Sequence, residues 1–236
     1  MKKLNVAAFG PHPDDIELQC AGTLAKYAAL GHSISMVIAT NGAAGDAKMA
    51  PEKLAAIREA EAREAAAVVG AELLWLGVDD QFLLDDRDTR RMFVDAIRQC
   101  EADILLTASP EDYHCDHRMA SKLVTDMSIT AALPAIATER KALSEIPVVY
   151  YYDTINGIGF LPEEYVDVTD QMDVKIQMLS RHASQLASMK EMLKLDLMES
   201  MKTNARYRGQ QCGVTYAEGF RPARGYTMLR PARILP

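Results

Sequence analysis

The stretch "LNVAAFGPHPDDIELQCAGTLA" at residues 4–25 joins an apolar run to a helical pattern through a turn that carries a histidine and two aspartates. The apolar run predicts a first strand over 4–9. The spacing of apolar residues over 16–30 predicts a helix that ends before Gly31. A strand followed directly by a helix starts a βαβ unit, which builds parallel sheets. Ordinary turns rarely combine an imidazole with two adjacent carboxylates, so His12, Asp14 and Asp15 point to a chemical role at the strand end.

The same alternation of short apolar runs and helical patterns continues along the chain. Further strands are predicted over 33–40, 72–77, 103–110, 147–154 and 165–169. Further helices are predicted over 51–70, 88–100, 117–136 (ending near Pro134), 170–187 and 188–204. The tail beyond them shows little periodicity. We therefore expect an α/β fold, a Rossmann-like, doubly wound, mostly parallel sheet with helices on both faces. Residues 1–236 are expected to form a single domain, with a core at about 4–135 and a C-terminal elaboration at about 147–236.

Composition limits the function classes. A hydrophobic content of 49% in 236 residues is ample for a buried core, and a net charge of -7 disfavours nucleic acid as a partner. No apolar stretch reaches the length of a signal sequence core or a membrane span, so no membrane partner is expected. Four scattered cysteines indicate free thiols in a reducing cytoplasm. Among them Cys115 is read as a bystander, since no separate base for a nucleophile accompanies it.

A second polar cluster, "PEDYHCDHR" at 110–118, follows the strand predicted over 103–110. Because the carboxyl ends of parallel strands meet at one edge of the sheet, this cluster should face the first one. His12, Asp15 and His117 would then supply a ligand set for catalytic Zn²⁺, and Fe²⁺ or another divalent ion could also bind it.

The remaining groups at this edge have other expected tasks. Asp14, which cannot easily reach the same ion as its neighbour, is the candidate general base. His114 is a candidate acid or oxyanion donor, and Asp116 a partner that orients one of the histidines. The alternative is a capped turn in which Asp14 or Asp15 starts a helix.

The motifs resemble those of the PIG-L/LmbE-like metal-dependent de-N-acetylases, which include N-acetylglucosaminyl-phosphatidylinositol, mycothiol-precursor and bacillithiol-precursor deacetylases. "HPDDIE" at 12–17 with Gly22-Thr23 is similar to that family's "HPDDxE…GT" signature, and "HCDH" at 114–117 to its "HxDH". "TNGAAG" at 40–45, the arginine-containing helix with its following strand, and C-terminal landmarks such as "YAEGF" extend the resemblance from about residue 6 to 220. Pro11, Ala21 and Ala43 depart from the family pattern without touching the expected ligands.

The resemblance implies the same division of labour for these residues and adds two expected substrate contacts. Arg58 lies where the family often has an arginine that reaches the substrate, with Arg63 as a rival and a solvated helix face as the alternative. His182 matches a histidine near the rim of the active site, with a helix-surface or partly buried position as the alternative. The resemblance also implies a homo-oligomer, such as a trimer or hexamer.

The expected reaction is the removal of an acetyl group from an N-acetylated sugar or glycoconjugate of the N-acetylglucosamine type. One alternative is an amidase of thiol conjugates from the same family. Another is a non-catalytic Rossmann-like nucleotide-binding protein, although "GPHPDD" lacks the glycines that let a backbone approach a pyrophosphate. The sequence leaves open the sugar, its aglycone and the acyl group.

Overall fold

A computed structural model describes residues 3–225 and 235–236 of the chain and contains a mostly parallel sheet. Its strands, among the described residues, are β1 (Asn5–Gly10), β2 (Ser33–Thr40), β3 (Glu72–Val78), β4 (Ile104–Thr107), β5 (Val148–Tyr152), β6 (Glu164–Asp167) and β7 (Ala217–Pro222). They lie in the order β3-β2-β1-β4-β5-β7-β6. Strands β1 to β5 are parallel, and β7 runs antiparallel to both β5 and β6. The expected doubly wound, mostly parallel sheet is confirmed.

Helices cover both faces of this sheet. They are α1 (Asp15–Gln19), α2 (Ala21–Ala29), α3 (Pro51–Val68), α4 (Arg87–Gln99), α5 (Cys115–Ala131), α6 (Met172–Leu179), α7 (Ala183–Met192) and α8 (Leu197–Cys212). Side chains of β1 alternate between the two cores, because successive residues of a strand point to opposite faces. Val6 and Ala8 pack with residues of α2, α3 and α6, whereas Ala7 and Phe9 pack with residues of α4 and α5. None of the helices in the described part of the chain is long and apolar enough to cross a membrane.

The helix predicted over 16–30 is interrupted, and the cause lies far away in the sequence. Cys20, with φ -139° and ψ 10°, separates α1 from α2. The backbone N–H groups of Gly22 and Thr23 at the start of α2 donate to the carboxylate of Glu218 on β7, at 2.9 and 2.7 Å. A carboxylate at a helix N-terminus satisfies otherwise unpaired N–H groups and favours the helix dipole. The new helix therefore begins where Glu218 caps it.

The C-terminal part differs from the prediction in its elements. Three helices replace the two predicted over 170–187 and 188–204. His182 leaves helical geometry before α7, and Asp196 begins α8 by accepting a hydrogen bond from the N–H of Glu199. Strand β7 forms within the tail, where local periodicity predicted none, because β5 and β6 provide its partners. Residues 226–234 of the predicted C-terminal elaboration lie outside the described residues. The assignment of the whole chain to a single domain stays a prediction.

Candidate metal centre and active site

The two polar clusters meet at one edge of the sheet, as expected from its topology. Strand β1 ends at Gly10 and the neighbouring parallel strand β4 ends at Thr107. The turn after β1 carries His12 to the start of α1, and the loop after β4 carries His114 to the start of α5. Adjacent parallel strands therefore bring together residues that are about a hundred positions apart.

His12, Asp15 and His117 place one atom each at the corners of a small triangle. The Nδ1 atom of His12 lies 3.2 Å from Oδ2 of Asp15 and 3.2 Å from Nε2 of His117. The third edge, from Nε2 of His117 to Oδ2 of Asp15, is 3.4 Å. Ligand atoms bound at about 2.0–2.1 Å to a tetrahedral ion are themselves roughly 3.3–3.4 Å apart, so the triangle has the size of one face of such a site. Nitrogen and carboxylate donors in this arrangement suit a divalent cation.

Charge at this edge also fits a cation. Five aspartates around the triangle are buried: Asp14, Asp15, Asp80, Asp112 and Asp116. Burial alone would raise the pKa of Asp15, but the charges of His117 and His12 lower it below its ordinary value. Two further groups of side chains could also approach an ion, namely His12 with His114 and His117, and His12 with Asp80 and Asp116. Buried carboxylates need a positive partner, which a bound divalent ion would supply.

Carboxylates stand behind both histidines of the triangle. The Nε2 atom of His12 lies 3.2 Å from Oδ2 of Asp116 and 3.3 Å from Oδ1 of Asp80. The Nδ1 atom of His117 lies 3.2 Å from Oδ2 of Asp112. Such partners fix the ring orientation of a metal-ligating histidine and raise its basicity. Asp116 thus lies where an orienting partner of a histidine should, while the sequence reasoning identified neither Asp112 nor Asp80 as such a partner.

Asp14 lies beside the triangle but contributes no corner. Its carboxyl group is buried, and burial raises its pKa to about 6 against the opposing charge of Arg58. The Oδ1 atom of Asp14 is 3.6 Å from Nη2 of Arg58. Asp14 also has φ 118° and ψ -23°, a backbone conformation that residues other than glycine rarely adopt. Strained residues of this kind cluster at active sites.

His114 is the most accessible of the three histidines at this edge. Its ring centroid lies 4.7 Å from that of His12 and 4.9 Å from that of His117. Burial and the charges of these two neighbours lower its pKa, which favours the neutral ring. Since Nδ1 accepts a hydrogen bond from the backbone N–H of Asp116 at 3.2 Å, a neutral His114 carries its proton on Nε2. It can therefore donate from Nε2. The amide nitrogen of Gln81, 3.2 Å away, is itself a donor and does not accept this proton.

The two residues expected to contact substrate, Arg58 and His182, are both buried near Asp14. Arg58 is 2% exposed, and its guanidinium donates to the carbonyl groups of Gly42 at 3.0 Å and Pro13 at 2.5 Å. Arg63, the rival, is exposed and forms an i,i+4 pair with Glu59. His182 is completely buried. Substrate contact by Arg58 or His182 stays a prediction. Both side chains are buried, whereas a residue at the open rim of an active site would be exposed.

Comparison with known proteins places this site in a family. Residues 7–128, just over half of the chain, match the PIG-L family model, described as GlcNAc-PI de-N-acetylase. The chain belongs to this family. The resemblance inferred from the motifs is therefore confirmed, and the matched range contains the whole triangle together with Asp14, Arg58 and His114.

Known proteins with similar sequences or structures extend the similarity over most of the chain. Diacetylchitobiose deacetylase of Thermococcus kodakarensis is 29% identical over 230 residues, 92% of this chain and 82% of that protein. The structure of N,N'-diacetylchitobiose deacetylase from Pyrococcus horikoshii, in complex with an inhibitor, superposes with a TM-score of 0.80 at 27% identity, covering 92% of this chain and 83% of the other. A 4-carboxy-2-hydroxymuconate hydratase from Pseudomonas putida superposes with a TM-score of 0.82 at 23% identity over 98% and 100% of the chains, which shows the shared fold.

Proposed function

We propose that this protein is a metal-dependent hydrolase that removes the acetyl group from an N-acetylglucosamine-type sugar, releasing acetate and a free amine. The observation that carries this proposal is the triangle of His12, Asp15 and His117 with Asp14 and His114 beside it. Family membership and the similarity to two diacetylchitobiose deacetylases support it. They favour deacetylation over a thiol-conjugate amidase or a nucleotide-binding protein.

His12, Asp15 and His117 would hold the metal ion, for which Zn²⁺ is our first choice and Fe²⁺ the second. A divalent ion bound there would polarise the amide carbonyl and make water more acidic. Asp14, ionised and held close to Arg58, would accept the proton of the attacking water. His114 would donate from Nε2 to the oxyanion that develops on the carbonyl or to the departing nitrogen. Asp116, Asp80 and Asp112 would keep the rings of the two ligating histidines in place.

The decisive experiment measures metal content and amine release together. The purified protein is analysed for bound metals beside the H12A variant, then incubated with N-acetylglucosamine, diacetylchitobiose and an N-acylated thiol conjugate, with and without chelator. About one metal per chain, lost in H12A, with chelator-sensitive amine release from the sugars, supports the proposal. Amine release from the thiol conjugate alone would favour the amidase, and an active protein unaffected by chelator would refute the metal mechanism.

Three further properties are proposed on the sequence reasoning alone. They are a cytoplasmic location, residence in a homo-oligomer such as a trimer or hexamer, and a small-molecule sugar as the partner in place of nucleic acid or membrane. Light scattering on a size-exclusion column measures the oligomer, and a monomer would refute that part of the proposal.

A further inference from the structure

Four ionisable side chains form a buried cluster around the backbone of the HPDD turn: Asp14, Glu17, Arg58 and His182. Glu17 and His182 are both 0% exposed. Oε1 of Glu17 lies 3.1 Å from Nε2 of His182, although the orientation departs from that of a well-directed hydrogen bond. A buried carboxylate and a buried imidazole each need a partner of opposite charge, and here they provide it for one another. Burial lowers the pKa of His182, but the contact with Glu17 and the charges of Glu17 and Asp14 together raise it above its ordinary value.

The strained backbone conformation of Asp14 needs an explanation, because the residue at this position is an aspartate and not a glycine. At φ 118° the residue occupies a region that persists only where the surrounding structure enforces it. Its own side chain forms no capping hydrogen bond to α1. The strain is therefore held by contacts on either side of Asp14.

Two such contacts are present. On the N-terminal side, Nη2 of Arg58 donates to the carbonyl of Pro13, the residue directly before Asp14. On the C-terminal side, Glu17 lies on α1, three residues after Asp14, and contacts His182. The peptide of Asp14 is thus fixed between a guanidinium on α3 and an imidazole at the start of α7.

His182 is itself held in place from outside the cluster. The backbone N–H and the hydroxyl of Ser184, in the first turn of α7, donate to the carboxylate of Glu61 on α3, at 2.8 and 2.6 Å. Farther along α7, the hydroxyl of Ser188 donates to the carbonyl of Gly45 at 2.7 Å. Helix α7 is therefore fastened to α3 and to the loop after β2, and it presents His182 to Glu17 at a set position.

We infer that Glu17 and His182 are positioning residues, whose buried contact holds α1 so that Asp14 keeps its strained conformation beside the triangle. This inference rests on the proposed function only in taking Asp14 as the general base. Neither member of the pair needs to touch the substrate. Such a role accounts for a fully buried His182 in a way that a substrate contact does not.

The test compares E17Q, H182Q and the double variant E17Q/H182Q, with H32Q as a histidine control remote from the site. In each single variant kcat should fall about 10- to 100-fold at temperatures well below melting, with metal content unchanged and KM within about threefold of the wild type. The double variant places two amides that can contact one another at this position, and it should recover part of this loss. In a D14N background, E17Q should change the residual rate by less than about twofold, since the pair acts through Asp14.

Several results would overturn the inference. These are a wild-type kcat in E17Q, a raised KM with unchanged kcat, which indicates substrate contact, or a further large loss when E17Q is added to D14N. A merely structural role would lower the melting temperature and leave kcat unchanged below it.

A crystal structure of H182Q provides a readout that does not depend on activity. We expect φ of Asp14 to relax from 118° to a negative value, and an unchanged Asp14 would contradict the inference. If H182Q does not fold, E17Q, which removes the same contact, serves for both readouts. A wild-type protein that releases no amine would refute the proposed function, while the conformation of Asp14 in the variant would still decide the role of the pair.

Discussion

Replacing Gly42 by alanine tests whether the position of Arg58 matters for Asp14. Gly42 has φ +63°, and a Cβ atom built there would lie 2.5 Å from Nη1 and 2.7 Å from Cζ of Arg58. Ordinary contact begins at 3.4 Å, so the guanidinium or the loop must move by roughly 0.9 Å. The left-handed backbone costs alanine about 1–2 kcal/mol, and overpacking adds about 1–3 kcal/mol. G42A should therefore lose roughly 2–5 kcal/mol, which lowers the melting temperature of a chain of this size by about 4–20 °C.

Gly70 supplies the matched control. Its φ is +65°, close to that of Gly42, but a Cβ atom there would meet nothing within 4 Å. G70A should consequently lose only the backbone part, about 1–2 kcal/mol. The difference between the two variants in urea unfolding measures the cost of displacing Arg58.

G42A and G70A should differ more in kcat than in their free energies of unfolding. Arg58 contacts both the carbonyl of Pro13 and the carboxylate of Asp14, and a displacement near 1 Å in an active site can cost about 100-fold in rate. We expect kcat for amine release to fall about 10- to 100-fold in G42A and to stay near the wild-type value in G70A. Equal stability and equal kcat in the two variants would refute the reasoning, because the guanidinium would then be free to move without consequence.

Four further substitutions test the assigned roles. Asp14→Asn should lower kcat by about 10²- to 10⁴-fold with metal content retained, and a fully active variant would remove Asp14 as the base. His117→Ala should lose bound metal during gel filtration, as measured by elemental analysis, and full retention would exclude His117 as a ligand. Asp112→Asn should weaken metal affinity about 10- to 100-fold, measured in competition with a chelator, because Oδ2 of Asp112 lies 3.2 Å from Nδ1 of His117. Unchanged affinity would show that this contact does not support His117 as a ligand. Cys115→Ser should keep kcat and KM within about twofold, since the exposed thiol has its nearest polar contacts at 3.7 and 3.9 Å, whereas a large loss would show a chemical role for Cys115.

Local patterns predicted the parallel core closely and the C-terminal part poorly. The strand predicted over 33–40 coincides with β2 (Ser33–Thr40), and the helix predicted over 51–70 begins with α3 (Pro51–Val68) at Pro51. These elements carry their own periodicity and start signals. In contrast, the break at Cys20 depends on a contact between residues nearly two hundred positions apart, Gly22 with Glu218. The existence of β7 depends on pairing with β5 and β6, which also lie far away in the sequence. Periodicity within a short window contains no information about such contacts.

The candidate site shows the same division. His12, Asp15 and His117 were predicted together because two polar clusters followed strands of one parallel sheet, and the structure brings their ligand atoms within 3.4 Å of one another. Asp112 was missed, although it lies in the second cluster, because an aspartate two residues before a histidine has no distinctive spacing. Its partner is known only once the rotation of α5 turns Nδ1 of His117 toward it.

The sequence by itself determined the fold class, the edge of the sheet at which the two polar clusters meet and the residue types found there. These follow from hydrophobic periodicity and from the rule that parallel strands end on one side, both of which are local or topological. Only the tertiary structure decided the setting of Arg58, Glu17 and His182, whose side chains are polar and yet buried. Whether such a side chain is buried, and which group it contacts, depends on how the whole chain packs. The same arginine or histidine can be a solvated surface group or a buried positioning group, according to the residues that pack against it.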